Sequence, residues 1–154
     1  MSEVQRILDQ LQRAMEGNAW HGPSLMELLK GVTAEQAAAK PLGEAHSMWE
    51  IVLHVETWES AVRRRLLGES FEPSPHEDWR TVGDRSEEAW EAAIDKLRRS
   101  HHELRQTISK LKDSDLGKIV PGKSDNVYVM LHGVIQHDIY HAGQIAVLRK
   151  APHS

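Results

Sequence analysis

The sequence predicts an all-α fold, a four-helix bundle, on three observations. Apolar residues recur at three- and four-residue spacing in four separate stretches, no alternating strand pattern of useful length occurs, and Pro- and Gly-bearing segments divide the stretches. Helices with one apolar stripe each are satisfied by packing around a shared core. The 154 residues fit a single domain spanning 1–154, large enough to need no disulfide or structural metal.

The first long helix is expected from about Glu3 to Glu16, behind Ser2 as N-cap, with Val4, Ile7, Leu8, Leu11 and Met15 on its apolar side. Gly17 ends or bends it. Asn18 to Ser24 is a break before a short amphipathic piece, Leu25 to Lys30, and Thr33 caps one or two further turns that Pro41 stops. The second long helix should begin near Ser47 and run to about Leu67, aligning Ile51, Val55, Trp58, Val62 and Leu66. Gly68 through Arg85, with Pro73, Pro75 and Gly83, reads as a long crossover. At about 3.3 Å per residue it can run the length of a bundle and make the second and third helices parallel; a slack connection fits the same length.

Ser86, Glu87 and Glu88 put a capping hydroxyl and two acids at the start of the third helix. Its apolar face carries Trp90, Ile94, Leu97, Leu104, Ile108 and Leu111, with His101 among them. Lys112 to Asp125 is a second loop around Pro121 and Gly122. Asn126 then caps the last helix, which runs to about Lys150 with Val127, Met130, Leu131, Val134, Ile145 and Leu148 inward.

Composition narrows the function. The net charge of −4 and the lack of any basic run longer than Arg63-Arg64-Arg65 argue against nucleic acid and anionic membrane as partners. No stretch is apolar enough to span a bilayer, and the first residues lack a secretory pattern, so a cytoplasmic protein is expected. With no cysteine, thiolate zinc sites, iron–sulfur clusters and cysteine nucleophiles are excluded. Any metal chemistry must use nitrogen and oxygen ligands, and the ten histidines are where to look.

His137 and His141 lie four apart on the last helix and so share a face, a spacing that can close on one metal ion. The string His137-Asp138-Ile139-Tyr140-His141 differs from the zincin pattern in having Asp for Glu, and Gln144 and His153 are the only later side chains offered as a third ligand. A third ligand is therefore sought upstream. His54, three after Ile51 and four before Trp58, is the best candidate, its plainer role being a border histidine bonded to Glu50 or solvent. His101 faces inward, either lining the same cavity or buried as a satisfied core histidine. Asp138 also falls on the inward stripe, where a carboxylate needs a partner. Accepting the second ring N–H of a ligating histidine would supply one, and Gln144 can do similar work.

Two stretches carry a resemblance. The run from Gly133 to Ile145 (Gly-Val-Ile-Gln-His-Asp-Ile-Tyr-His-Ala-Gly-Gln-Ile) resembles the closing motif of the DinB-like metalloprotein superfamily. The run from Ser47 to Glu59 is similar to that family's first histidine motif. The resemblance implies an up-down-down-up four-helix bundle with a long crossover between helices two and three. It also implies a divalent metal (zinc, nickel or iron) held by His54, His137 and His141, and homodimers are common among relatives. Relatives include transferases and isomerases that use low-molecular-weight thiols such as bacillithiol or mycothiol; others are described as hydrolases.

Three function classes follow. A metal-dependent thiol S-transferase would take its thiol from a small-molecule cofactor, since the chain has none. A metal hydrolase would use Asp138 as base for a metal-bound water. A non-catalytic stress protein would bind a metal or small ligand only. Trp58, Trp20 and His21 are candidate pocket residues by position, and Trp79 in the crossover marks a dimer contact or a lid.

Overall fold

Side-chain caps set where the helices start. Ser2 accepts from the Gln5 backbone N–H while Gln5 reaches back, opening α1 (Glu3–Met15). Ser24 and Thr33 do the same with Glu27 and Gln36 for the short helices α2 (Leu25–Leu29) and α3 (Ala34–Ala38). Ser47 and Glu50 form the capping box of α4 (Met48–Leu66). Each such cap stabilises its helix by about 1 kcal/mol. Ser86 opens α6 (Glu87–Ser109) and Asn126 opens α7 (Val127–Lys150), each accepting a backbone N–H three residues on.

The computed structural model describes residues 1–152, and among them there is no strand. His153 lies outside the described residues. The crossover is not bare loop: Ser74, Pro75 and Glu77 build a one-turn helix, α5 (Pro75–Asp78), with proline at the first turn where its missing N–H costs nothing. The second loop holds a 3-10 turn (Asp113–Asp115) and an isolated bridge between Ile119 and Asn126.

α4 packs against α6 and α7, and α1 packs against the same two helices. Contacts along α4 and α6 advance in step: the Trp49 and Trp90 rings meet at 5.2 Å, Glu56 accepts from Ser100 at 2.8 Å, and Glu59 lies 3.1 Å from His101. One apolar cluster gathers Trp49, Val55, Trp90, Leu97 and Ile145; the other gathers Ile7, Leu11, Leu104, Ile108 and Leu131. Between the clusters the stripes of α4, α6 and α7 turn polar. Trp58, Leu66, Ile94, Leu111 and Met130, expected inward, are only half-buried. No helix is long and apolar enough to cross a membrane among the described residues.

Candidate metal centre

α4 supplies His54, and two successive turns of α7 supply His137 and His141. The structure brings the three together: His137 Nε2 lies 3.0 Å from His54 Nε2 and 3.2 Å from His141 Nε2. One nitrogen of each falls within 4.8 Å of the others, the group that can hold a metal ion among the described residues. His54 and His141 are buried and His137 is half-buried.

The outer nitrogens decide what the inner ones present. His54 Nδ1 lies 2.8 Å from the Asp78 backbone carbonyl, which only accepts, so Nδ1 carries the proton and Nε2 a lone pair. His141 Nδ1 donates to Gln144 Oε1 at 2.7 Å, with the same result. Two lone pairs thus point at His137 Nε2, and one N–H there cannot serve both fully. His137 Nδ1 is buried without a hydrogen-bond partner. Burial holds all three rings below the usual histidine range, and burial together with the facing His141 and His54 drives His137 to about 3. Three neutral, converging imidazoles fit a divalent ion that accepts nitrogen ligands.

The crossover locks this arrangement. Trp79 is stacked flat between His46 and His54, with centroids at 3.6 and 3.8 Å and planes 4° apart. Asp78 adds a hydrogen bond from Trp58 Nε1 to its Oδ1 at 2.7 Å, and Arg80 donates to the Leu53 carbonyl and to Glu56. Trp79, half-buried, is therefore a wall of the site. Glu50 does not touch His54; it takes His46 at 2.8 Å and Lys40 at 2.8 Å. Burial would raise the Glu50 carboxyl, but the Lys40 and His46 contacts outweigh it and hold it at about 2.

A family comparison covers these same elements. A protein-family model described as the DinB superfamily matches residues 19–145. The chain belongs to the DinB superfamily. The match runs from the segment before α2 to Ile145 in α7 and so includes all three histidines. No curated protein and no solved structure matches this DinB-superfamily chain.

The remaining candidates sit elsewhere. Asp138 does not accept from any histidine of the triad. It is wholly buried, its carboxyl pairs with that of Glu59, and His101 is its other ionisable neighbour. The role proposed for it is filled by Gln144 and by the Asp78 carbonyl. His101 lies in this deeper group, its Nδ1 3.1 Å from Glu59 Oε1, and does not join the triad. Of the pocket candidates, Trp58 borders, together with the ligand candidate His137, a cavity of about 370 Å³ between α4 and α7. His21 lines a separate groove against α7, and Trp20 is fully exposed.

Two participants were missed. Glu59 lies four after Val55 and three before Val62, an inward position disguised by its charge. Asp78 acts mainly through its backbone, which no residue-type signal reveals.

Proposed function

We propose that His54, His137 and His141 bind one divalent metal ion and that the chain is a metal-dependent enzyme transferring a low-molecular-weight thiol to an electrophile. The observation that carries this reading is the fixed pair of lone pairs on His54 and His141, aimed at a third neutral imidazole. A divalent ion there would supply Lewis acidity, favouring the thiolate form of a thiol or lowering the pKa of a water. In the transfer, the thiol gives up its proton, its sulfur forms a bond to an electrophilic carbon, and a leaving group departs with the electron pair of the broken bond.

The chain's own residues hold rather than react. Asp78 and Gln144 keep the outer ring protons in place, Trp79 covers one face of His54, and the cavity beside His137 gives a small molecule room to approach. That cavity favours an enzyme over a purely structural site. A hydrolase with Asp138 as base draws no support, because that carboxyl is sealed from solvent.

The bundle reading goes with this proposal: α1, α4, α6 and α7 are the four long helices in up-down-down-up order, supported by the in-step contacts of α4 with α6. A homodimer is the expected assembly. The exposed Trp20, and Ile139, Tyr140 and Val147 exposed on α7, support it; a single-chain mass by light scattering would refute it.

Elemental analysis of tag-free protein tests the site. Near-stoichiometric metal, lost in His54→Ala, is expected, followed by metal-dependent acceleration of thiol conjugation. Absent metal after reloading at neutral pH removes the whole reading. Bound metal with no acceleration across several thiols and electrophiles removes the transferase.

A further inference from the structure

The cavity beside His137 has a chemically divided wall. Trp58, Val62, Val129, Met130 and Val134 line it with apolar surface. Arg65, Glu72, Lys123 and Asp125 supply charged groups. On α4 the lining runs from Trp58 to Arg65, and on α7 from His137 back to Val129; at 1.5 Å per residue each path covers about 10–12 Å. The Arg65 side chain runs back along α4, however, so that its guanidinium lies 5.4 Å from the Trp58 ring centroid, and that ring lies 6.1 Å from the His137 ring; Trp58 thus stands between the cation and the histidine.

The charged end is unusual. Arg65 is nearly buried, its Nε donating to the Phe71 carbonyl and its Nη2 to Glu72 Oε2, both at 2.9 Å. Its Nη1 makes no hydrogen bond among the described residues. Lys123 donates to the same Glu72 oxygen. One carboxylate, on a side chain 55% exposed, thus occupies two cations, one of them held in the wall of the cavity. Gly122, at φ +73°, lies so close to Ser70 that a Cβ would collide with its hydroxyl, which brings the Lys123 loop against the Glu72 segment. Asp125 is the other carboxylate of the lining, so exchanging Glu72 for another anion leaves the local charge balanced.

We propose that this cavity is the substrate site, that it takes a small apolar molecule ending in a carboxylate, and that Glu72 occupies the carboxylate position when the site is empty. The inference rests on the metal-site reading for what happens at the His137 end, but the anchor at Arg65 and Lys123 stands on its own contacts. The apolar body lies on Trp58 and the valines, and the carboxylate takes the Arg65 and Lys123 donors as Glu72 swings out to solvent. An Arg–carboxylate contact of this kind gives orientation as well as affinity.

Isothermal titration calorimetry with octanoate and with octanol as the uncharged control tests it, on protein whose metal content is measured in parallel. Glu72→Gln, an exposed change that spares the fold, should tighten octanoate about tenfold and leave octanol within about twofold, because it removes the internal competitor. Arg65→Met should remove the preference for octanoate over octanol. Octanoate affinity that ignores Glu72→Gln, octanol tightening equally, or no binding of either ligand to any form overturns the proposal. Carboxylate binding to a metal ion would not respond to Glu72, so it falls among those refuting outcomes. Metal present without a Glu72-dependent response rejects the anchor alone; the response without metal rejects the metal site alone.

Discussion

Two polar clusters interrupt the apolar interior, less than two helical turns apart on α4, and they resolve the same physical problem differently. In the triad, His54 and His141 have their outer nitrogens tied to fixed oxygens, His137 Nδ1 has no partner, and the inner nitrogens of all three are left facing one another beside a cavity. The deeper group of Glu59, His101 and Asp138 is sealed, and burial dominates its acid–base behaviour. It drives the Glu59 carboxyl up to about 8, with the hydrogen bond to Asp138 pulling it down and the Glu56 charge pushing it up. It also drives the Asp138 carboxyl far above its ordinary range, with the Glu59 charge and hydrogen bond raising it further. Burial lowers His101. The deep cluster is made tolerable by protons; the triad presents lone pairs that call for a cation. Buried histidine and carboxylate are thus not in themselves a site, and what their remaining atoms are bonded to decides.

The largest effect separates the clusters directly. His137→Ala should take metal from near one per chain to near none, whereas Asp138→Asn should leave it within about twofold, both read by elemental analysis. Equal loss in both variants would merge the two clusters into one functional unit.

Next is stability against pH. The ordinary Glu value is 4.5 and the folded value of Glu59 is about 8, so the folded chain holds a proton that the unfolded chain releases between those limits. The stabilising effect of that proton is complete below about pH 4.5 and is lost as pH rises through 8. Glu59→Gln, which keeps the shape without an ionisable proton, should flatten this decline and be a few kcal/mol more stable than the parent at pH 8. Urea denaturation at pH 5 and pH 8 reads the difference; parallel curves for the two proteins would contradict it.

Gln144→Leu frees His141 Nδ1 and should weaken metal binding about tenfold while sparing the fold, measured by competition with a chelator. Glu50→Gln is the smallest change. Its carboxyl is held at about 2, so it stabilises the folded chain above pH 4.5 and that effect fades as pH falls towards 2. Melting at pH 7 should show a loss of about 1 kcal/mol that vanishes near pH 2.

Much of this was legible in the sequence because it is local. Ser2, Ser47, Ser86 and Asn126 mark the starts of the long helices, and the i, i+4 pair of His137 and His141 needs only helical geometry. Gln144 was readable for the same reason, three residues beyond His141. Bringing His54 to that pair takes a tertiary contact over 83 residues, and the family resemblance supplied what spacing could not. α5 was announced by Ser74, Pro75 and Glu77 but hidden in a segment that otherwise reads as loop. The pairing of Glu59 with Asp138 was hidden for a further reason: two acids on facing stripes look like an error until one allows them to be neutral.

The clamp made by Asp78, Trp79 and Arg80 has a consequence for anyone cutting or grafting this chain. A connection of this length would ordinarily be the place to splice in a tag or a guest domain, since lengthening a surface loop is entropically mild. Here the permissive stretch shrinks to Gly83, Asp84 and Arg85, which are exposed and precede the Ser86 cap. A guest placed there leaves the wall of the histidine site standing, and the same guest placed beside Trp79 pulls the carbonyl off His54 and unmakes the site without touching a single histidine.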